Sequence, residues 1–230
     1  MNVYALTPTG GRPEAMALLA EYVNAQTYKG WLTWVIVDDC DPATPVPDVN
    51  SNIDVHIVRP AWRWQPGQNT HASSLMVGLS GVPLDARLVM LEDDDVYLPD
   101  HISNMVCALD TCELAGEKLT RYYNVVTGRH RDLPGTNHAS LSCTALKGEA
   151  IIELGLVCMA SRTAIDVKLW RGFKGRKKLL DSTNVVGIKG MPGRPGIGVG
   201  HRANFGKVDQ SDTLRKWIGD YSDNYSREAA

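Results

Sequence analysis

The sequence has no run of about 18 apolar residues, so it offers no segment able to cross a membrane as a helix. Its first residues, MNVYALTPTGGRPEAM, lack the basic start and apolar stretch of a secretory signal, and the expected location is cytoplasmic. Five cysteines (Cys40, Cys107, Cys112, Cys143, Cys158) contain no C-x-x-C pair. An odd number without paired spacing speaks against a zinc ribbon or a disulfide framework, and for reduced, mostly buried thiols. Internal repeats are absent. Net charge is nearly absent too: 24 Lys+Arg against 26 Asp+Glu leave −2, which on its face argues against a polyanion binder.

That average conceals a segregation. Residues 1–120 carry 6 basic and 16 acidic side chains, a net of −10, whereas residues 168–202 carry 9 basic and 1 acidic, a net of +8. An acidic front and a basic rear section on one chain call for an explanation. With 230 residues, 43% of them hydrophobic and 22% charged, the chain can bury a sizeable core and is expected to form a single domain over 1–230.

The front section alternates strands and helices. Val3–Leu6, Leu32–Val37, Ile53–Val58 and Arg87–Leu91 are short apolar runs that read as strands. Pro13–Ala25, Thr70–Leu79 and Asp100–Leu114 read as helices, the first with Pro13 in its opening turn. Such alternation predicts an α/β fold with a largely parallel sheet. In the rear section, Arg121–Arg129, His138–Leu146 and Val185–Lys189 read as strands, and Lys147–Leu156, Thr163–Gly172 and Ser211–Asp220 as helices. Gly187–Gly200 holds too much Gly and Pro for a regular element and reads as a loop.

The chemistry concentrates at strand ends. Glu92-Asp93-Asp94-Asp95 follows an apolar strand directly. Four adjacent carboxylates repel one another unless a cation offsets them; a divalent metal with oxygen ligands does so, and a nucleotide diphosphate supplies further ligands. Ligands of parallel α/β sheets sit beyond the carboxyl ends of the strands. Two other strands end there in polar loops, Thr7–Arg12 and Asp38–Asp41. The alternative for the tetrad is a solvated acidic turn. Arg12 is either a bidentate phosphate contact or a surface arginine. Trp62-Arg63-Trp64 can stack a base or a sugar, or cover a sheet edge.

In order and spacing, these motifs resemble the type-A glycosyltransferases, and in particular their large family-2-like group, over about residues 2–202. Thr7-Pro-Thr9-Gly-Gly-Arg12 resembles the first nucleotide-binding loop, and Val35-Ile-Val-Asp38-Asp39 the strand whose terminal Asp contacts the base. Leu91-Glu92-Asp93-Asp94-Asp95 resembles the D-x-D strand end that binds ribose and metal, with either Glu92/Asp94 or Asp93/Asp95 as the pair. Asn69 resembles a further nucleotide contact. The resemblance implies a GT-A-like, mainly parallel Rossmann-like sheet flanked by helices, with an acceptor-side α+β section. It divides the chain into a nucleotide-sugar-binding half (1–120), an acceptor-binding half (121–202) and a C-terminal tail (203–230).

It also implies a metal-dependent transfer of sugar from a nucleoside-diphosphate sugar to an acceptor hydroxyl, inverting, with Mn²⁺ or Mg²⁺ as cofactor. Glu92, Asp93, Thr7, Thr9, Arg12, Asp38, Asp39 and Asn69 would face the nucleotide sugar. Asp94 and Asp95 would hold the metal, with His201 as a third ligand or as a structural histidine. Inversion needs a base for the acceptor hydroxyl. Ile165-Asp166-Val-Lys-Leu169-Trp170-Arg171 matches the family's helix-start pattern at Asp166 and departs from its Glu at Ile165. A helix N-terminus lowers the basicity of Asp166; Asp181 is the alternative base. Trp170 is an acceptor platform or a core aromatic.

The run Lys168–Lys178, with Arg171, Lys177 and Lys178 on the expected acceptor side, favours an anionic acceptor or is simply a solvated face. A hydroxymethylated base in DNA is one such acceptor, since the chain resembles small phage-encoded DNA-modifying transferases; the location would then be the cytoplasm of an infected host. A glycan acceptor, a nucleotidyltransferase and a non-catalytic nucleic-acid-binding module are the competing readings.

Overall fold

Short runs rich in Val, Ile and Leu form the centre of a seven-stranded sheet in the computed structural model, which describes residues 2–135, 137–196 and 198–225. β1 (Val3–Thr9), β2 (Leu32–Asp38), β3 (Ile53–Val58) and β4 (Arg87–Met90) lie parallel in the order β4-β1-β2-β3. β1, β2 and β4 are buried almost throughout, which is why they read as unbroken apolar stretches. Trp34 on β2 is fully buried, and its indole N–H donates to Thr7 Oγ1 at 2.9 Å. α1 (Pro13–Asn24) begins on Pro13, whose missing N–H costs nothing in a first turn. α2 (His71–Leu79) packs on β1 and β2.

The rear half completes this sheet and adds a second. After β5 (Asp95–Tyr97) and α3 (His101–Ala108) come β6 (Leu114–Glu117), β7 (Leu119–Asn124), β8 (Arg129–Pro134) and β9 (Thr144–Lys147). α4 (Glu149–Ala160), α5 (Ile165–Gly172), β10 (Lys177–Leu180), β11 (Val185–Lys189), β12 (Lys207–Val208) and α6 (Thr213–Ile218) follow. The large sheet runs β10-β6-β9-β4-β1-β2-β3, with β9 antiparallel to both neighbours. α4 packs on α2 and on α5, and α3 lies against β4, β6 and β9. The second sheet runs β12-β8-β7-β11-β5. There β11 pairs antiparallel with β5 and parallel with β7. This is the expected α/β, GT-A-like class: a mainly parallel sheet flanked by helices, with a mixed section behind it.

Several expected elements differ in extent. The helix expected over Asp100–Leu114 stops at Ala108; Asp110 and Thr111 N–H groups turn back to Cys107 and Ala108 carbonyls, and Leu114 opens β6. The strand expected over Arg121–Arg129 is instead a hairpin, β7 and β8, turning at Gly128 with φ +59°. Of His138–Leu146, only the end is strand, because Leu141–Cys143 forms a 3₁₀ turn. Of the loop expected over Gly187–Gly200, the first three residues belong to β11 and Ile197 lies outside the described residues, as do 226–230 of the tail. No helix among the described residues is long and apolar enough to cross a membrane.

Candidate active site

β1, β2 and β4 deliver their polar ends to one edge of the large sheet, and a cavity of about 480 Å³ opens there. Its walls include Thr9, Arg12, Asp39, Asn69, Glu92, Asp93, Asp94, Asp166, Lys189, Arg194 and His201. Thus the strand-end loops of the front half and the basic rear half meet across one space.

Two cations hold the three aspartates of the tetrad. Arg12 Nη2 lies 2.8 Å from Asp93 Oδ1 and Nη1 2.8 Å from Asp94 Oδ2. The Lys189 ammonium lies 3.2 Å from Asp94 Oδ1 and 2.9 Å from Asp95 Oδ1. Thr9 Oγ1 donates to Asp93 Oδ2 at 2.7 Å. Burial alone would push Asp94 toward its neutral form, but Lys189 and Arg12 override it and hold the carboxyl well below its usual range. Burial, with Asp95 and Asp94 adding repulsion, pushes Glu92 up to about 8; burial likewise pushes Asp95 up to about 6 against the pull of Lys189. Two cations are therefore too few for four carboxylates. Arg12 and Lys189 both stay charged, since the carboxylates outweigh the burial that opposes their charge.

The end of β2 separates two adjacent aspartates. Asp38 is fully buried and accepts backbone N–H groups of Cys40 (3.1 Å) and Thr44 (2.8 Å), so it shapes the loop and does not line the cavity. Asp39 does line it. Arg194 Nη1 donates to Asp39 Oδ1 at 2.8 Å and Nη2 to Thr70 Oγ1 at 2.7 Å, while Thr70 and Ser74 hydroxyls donate to Asp39 Oδ2. The Arg194 guanidinium also sits 4.7 Å from the Trp64 ring centre, so the Trp62-Arg63-Trp64 motif supplies a stacking face. Gly10 is required beside this group: a Cβ there would come 2.3 Å from Asp39 Oδ1. Thr7 is buried under Trp34, outside the cavity, whereas Asn69 lines it and bridges to the Arg162 carbonyl at 2.8 Å.

Asp166 is the second residue of α5 and lines the same cavity. Ala164, just before it, takes a left-handed φ of 53°. Asp181 does not come near: its side chain is 84% exposed and pairs with Lys118 on the surface. Trp170, expected as an acceptor platform or a core aromatic, is the latter, 2% exposed with its N–H donating to Thr144 Oγ1 at 3.3 Å. Arg171, Lys177 and Lys178 lie outside the cavity walls, and the Lys177 ammonium caps the Trp170 and Phe173 carbonyls at 2.8 Å each. His201 Nε2 stands 3.8 Å from Asp94 Oδ2. Burial and then Lys189 push its imidazole down to about 4, so at neutral pH it is an uncharged donor set beside a carboxylate and not an ion pair.

These residues fit a divalent cation. Glu92, Asp94 and Asp95 each offer a ligand oxygen, all within 4.8 Å of one another. Asp95 Oδ2 is buried without a hydrogen-bond partner. Carboxylate oxygens with an adjacent neutral imidazole suit Mn²⁺ or Mg²⁺. Burial first and repulsion between carboxylates second raise Glu92 and Asp95, and a divalent ion would offset the repulsion.

Sequence reading missed Lys189, Arg194 and Thr70. Lys189 and Arg194 are the charged residues within Gly187–Gly200, and Lys189 ends an apolar strand just as the aspartates do; that was the available signal.

No family model and no curated protein sequence matches the chain. Solved structures do share its fold. S. aureus TarS 1-349 in complex with UDP-GlcNAc superposes with a TM-score of 0.56 at 13% identity, over 86% of this chain and 60% of that one. The complex of TarS 1-349 with UDP gives 0.54 at 12% identity, over 82% and 60%. TarS itself gives 0.52 at 12% identity over 82% of this chain, which spans 37% of TarS. At these identities the likeness is one of architecture.

Proposed function

We propose that the chain is a glycosyltransferase that moves a sugar from a nucleoside-diphosphate sugar to an acceptor hydroxyl. One observation carries this reading: Asp39, Glu92, Asp93 and Asp94 converge with Arg12 and Lys189 on one cavity at the carboxyl edge of a GT-A-like sheet. That TarS, with the same architecture, has been solved with UDP-GlcNAc and with UDP supports a uridine nucleotide as the first donor to try. The nucleoside would lie toward Asp39, Thr70 and Asn69, and the diphosphate toward Arg12 and Lys189, whose charges would hold it. A divalent ion held by Glu92, Asp94 and Asp95, with His201 beside them, would add Lewis-acid stabilisation of that leaving diphosphate when bound.

Asp166 is the proposed base. It lines the same cavity as Glu92, Asp93 and Asp94, where an acceptor hydroxyl would meet the donor sugar. As Asp166 takes that proton, the hydroxyl oxygen would bond to the sugar carbon on the face opposite its breaking bond to the nucleoside diphosphate, and this single displacement inverts the configuration. The chain would act as one domain, its front half holding the donor and its rear half the acceptor. Arg171 and Lys178 would reach only an acceptor long enough to extend beyond the cavity, so an anionic polymer, DNA with a hydroxymethylated base included, is an arm of the test.

The experiment incubates the purified chain with UDP-sugars and other nucleotide sugars, with Mn²⁺ or with EDTA. Acceptors are hydroxymethylated DNA, plain DNA and glycans. Release of nucleoside diphosphate with transfer to one acceptor is expected. Release of pyrophosphate from a nucleoside triphosphate supplied with a sugar 1-phosphate would make it a nucleotidyltransferase, and no binding of any nucleotide sugar under either condition would overturn the reading.

A further inference from the structure

Lys189 is buried at the end of a strand among carboxylates, and the charge it brings is not delivered by a loop. β11 is clamped between β5 and β7, with Gly187 opposite Asp95 and Lys189 opposite Asn124. The Ile188 N–H donates to the Asp94 carbonyl at 3.2 Å, tying β11 to the tetrad's own backbone. The chain then turns at Gly190, with φ +87°. Against the Lys189 stem lies Gly200, where a Cβ would approach Lys189 Cγ to 2.9 Å; a glycine there lets the turn at Val199–His201 close over the aliphatic part. The ammonium is thus fixed by sheet register, 6% exposed at the residue level, with the Tyr122 ring centre 5.4 Å away.

Two of the three ammonium hydrogens serve Asp94 Oδ1 and Asp95 Oδ1. The third has no hydrogen-bond acceptor among the described residues, and Lys189 is part of the cavity wall. Asp94 and Asp95 are also two of the three carboxylates that can hold a divalent ion. A fixed positive charge about 3 Å from ligand oxygens repels a second cation on those oxygens and offsets the carboxylates' repulsion of a phosphate that faces them.

We propose that Lys189 is a tethered cation of the donor site. It gives the donor diphosphate a permanent positive partner, so that the nucleotide binds without a divalent ion, and it weakens the hold of Glu92, Asp94 and Asp95 on that ion. The inference rests on the reading of the cavity as a nucleoside-diphosphate-sugar site. It assigns to Lys189 the binding share of the charge, leaving to the metal the stabilisation of the leaving group.

The test is titration calorimetry with UDP and UDP-GlcNAc, in EDTA and in Mn²⁺, and with Mn²⁺ alone, on the full chain and on Lys189→Met and Lys189→Arg. Wild type is expected to bind UDP in EDTA within about tenfold of its affinity in Mn²⁺. Lys189→Met should lose about tenfold or more of the EDTA affinity, as for a lost charge-assisted contact. It should bind Mn²⁺ alone several-fold more tightly, and Lys189→Arg should restore metal-free UDP binding. Wild type that binds UDP in Mn²⁺ but not in EDTA overturns the proposal while leaving the donor site intact, and this arm decides even if Lys189→Met does not fold. So does Lys189→Met binding Mn²⁺ no more tightly than wild type. Absence of UDP and UDP-GlcNAc binding under every condition overturns the uridine-donor reading itself.

Discussion

Arg194 Nη1 lies 2.8 Å from Asp39 Oδ1, joining a glycine-rich loop to a strand end 155 positions earlier in the chain. The same guanidinium donates to Thr70 and lies over Trp64. Its backbone N–H reaches the Gly11 carbonyl at 3.2 Å. The loop is therefore fastened at two levels to the first two strand-end loops, and it forms one wall of the cavity.

Removing that fastening has a defined cost. Arg194→Ala deletes two charge-assisted or hydroxyl hydrogen bonds and the stacking on Trp64, each worth about 1 kcal/mol or somewhat more. UDP affinity is expected to fall about tenfold, with protease cleavage within 190–196 accelerated. Titration calorimetry and timed limited proteolysis check the two effects. Proteolysis unchanged from wild type would show that Arg194 does not hold the loop.

Asp94 is the carboxylate shared by both buried cations. Asp94→Asn leaves Arg12 with Asp93 alone and Lys189 with Asp95 alone. Breaking a buried pair costs about 3–5 kcal/mol, and the surviving partners put this case near the lower end. For a domain of this size the melting temperature should drop by roughly 6–12 °C. Mn²⁺ binding should weaken in the same variant. Scanning calorimetry and a Mn²⁺ titration measure both.

The pH dependence of stability follows from the burial of Glu92 and Asp95 beside other carboxylates. Glu92 keeps its proton in the folded, metal-free protein up to about pH 8, whereas an unfolded glutamate has lost it above about pH 4.5. The folded state then binds more protons, so Glu92 costs stability progressively as pH rises through that window. Asp95 adds to the loss between about pH 4 and pH 6. Asp94 works the other way: its contribution is present above its unfolded value and vanishes in acid. From pH 6 to pH 8 Glu92 dominates, at an upper limit of about 2 kcal/mol because its side chain is partly exposed. The Mn²⁺-induced rise in melting temperature should therefore be larger at pH 8 than at pH 6, by a few degrees. Equal shifts at the two pH values would show that Glu92 does not retain its proton.

The front half was legible because its chemistry sits at the ends of apolar strands, a pattern that sequence displays directly. Glu92–Asp95 and Asp39 could be read that way. Lys189 ends an apolar strand too, but it meets the tetrad only because β11 inserts between β5 and β7, a pairing no local pattern announces, and Arg194 lies in the loop that follows. Trp170 and Asp181 were ambiguous for a related reason: residue type and spacing do not fix which face of α5 is covered by β9, nor where β10 ends. β6 escaped notice because Leu114-Ala-Gly-Glu117 has little intrinsic strand preference and owes its conformation to β9 and β10 on either side.

Asp166 and Asp181 give the sharpest functional contrast. Both were candidate bases: Asp181 is the one carboxylate of residues 168–202, and Asp166 lies just before them. Asp166 lines the cavity at the start of α5, whereas Asp181 is exposed and paired with Lys118. A base that acts only in the transition state contributes about 10²- to 10⁴-fold to kcat and little to donor affinity. Asp166→Asn should lower turnover by that range with UDP binding unchanged, and Asp181→Asn should turn over like wild type. Because Asp166 stands on a first helical turn, an Asn there keeps the local geometry, and a loss of turnover reports the missing proton acceptor. Single-turnover kinetics with a saturating donor separate the two carboxylates; equal losses in both variants, or none in Asp166→Asn, would remove Asp166 from the mechanism.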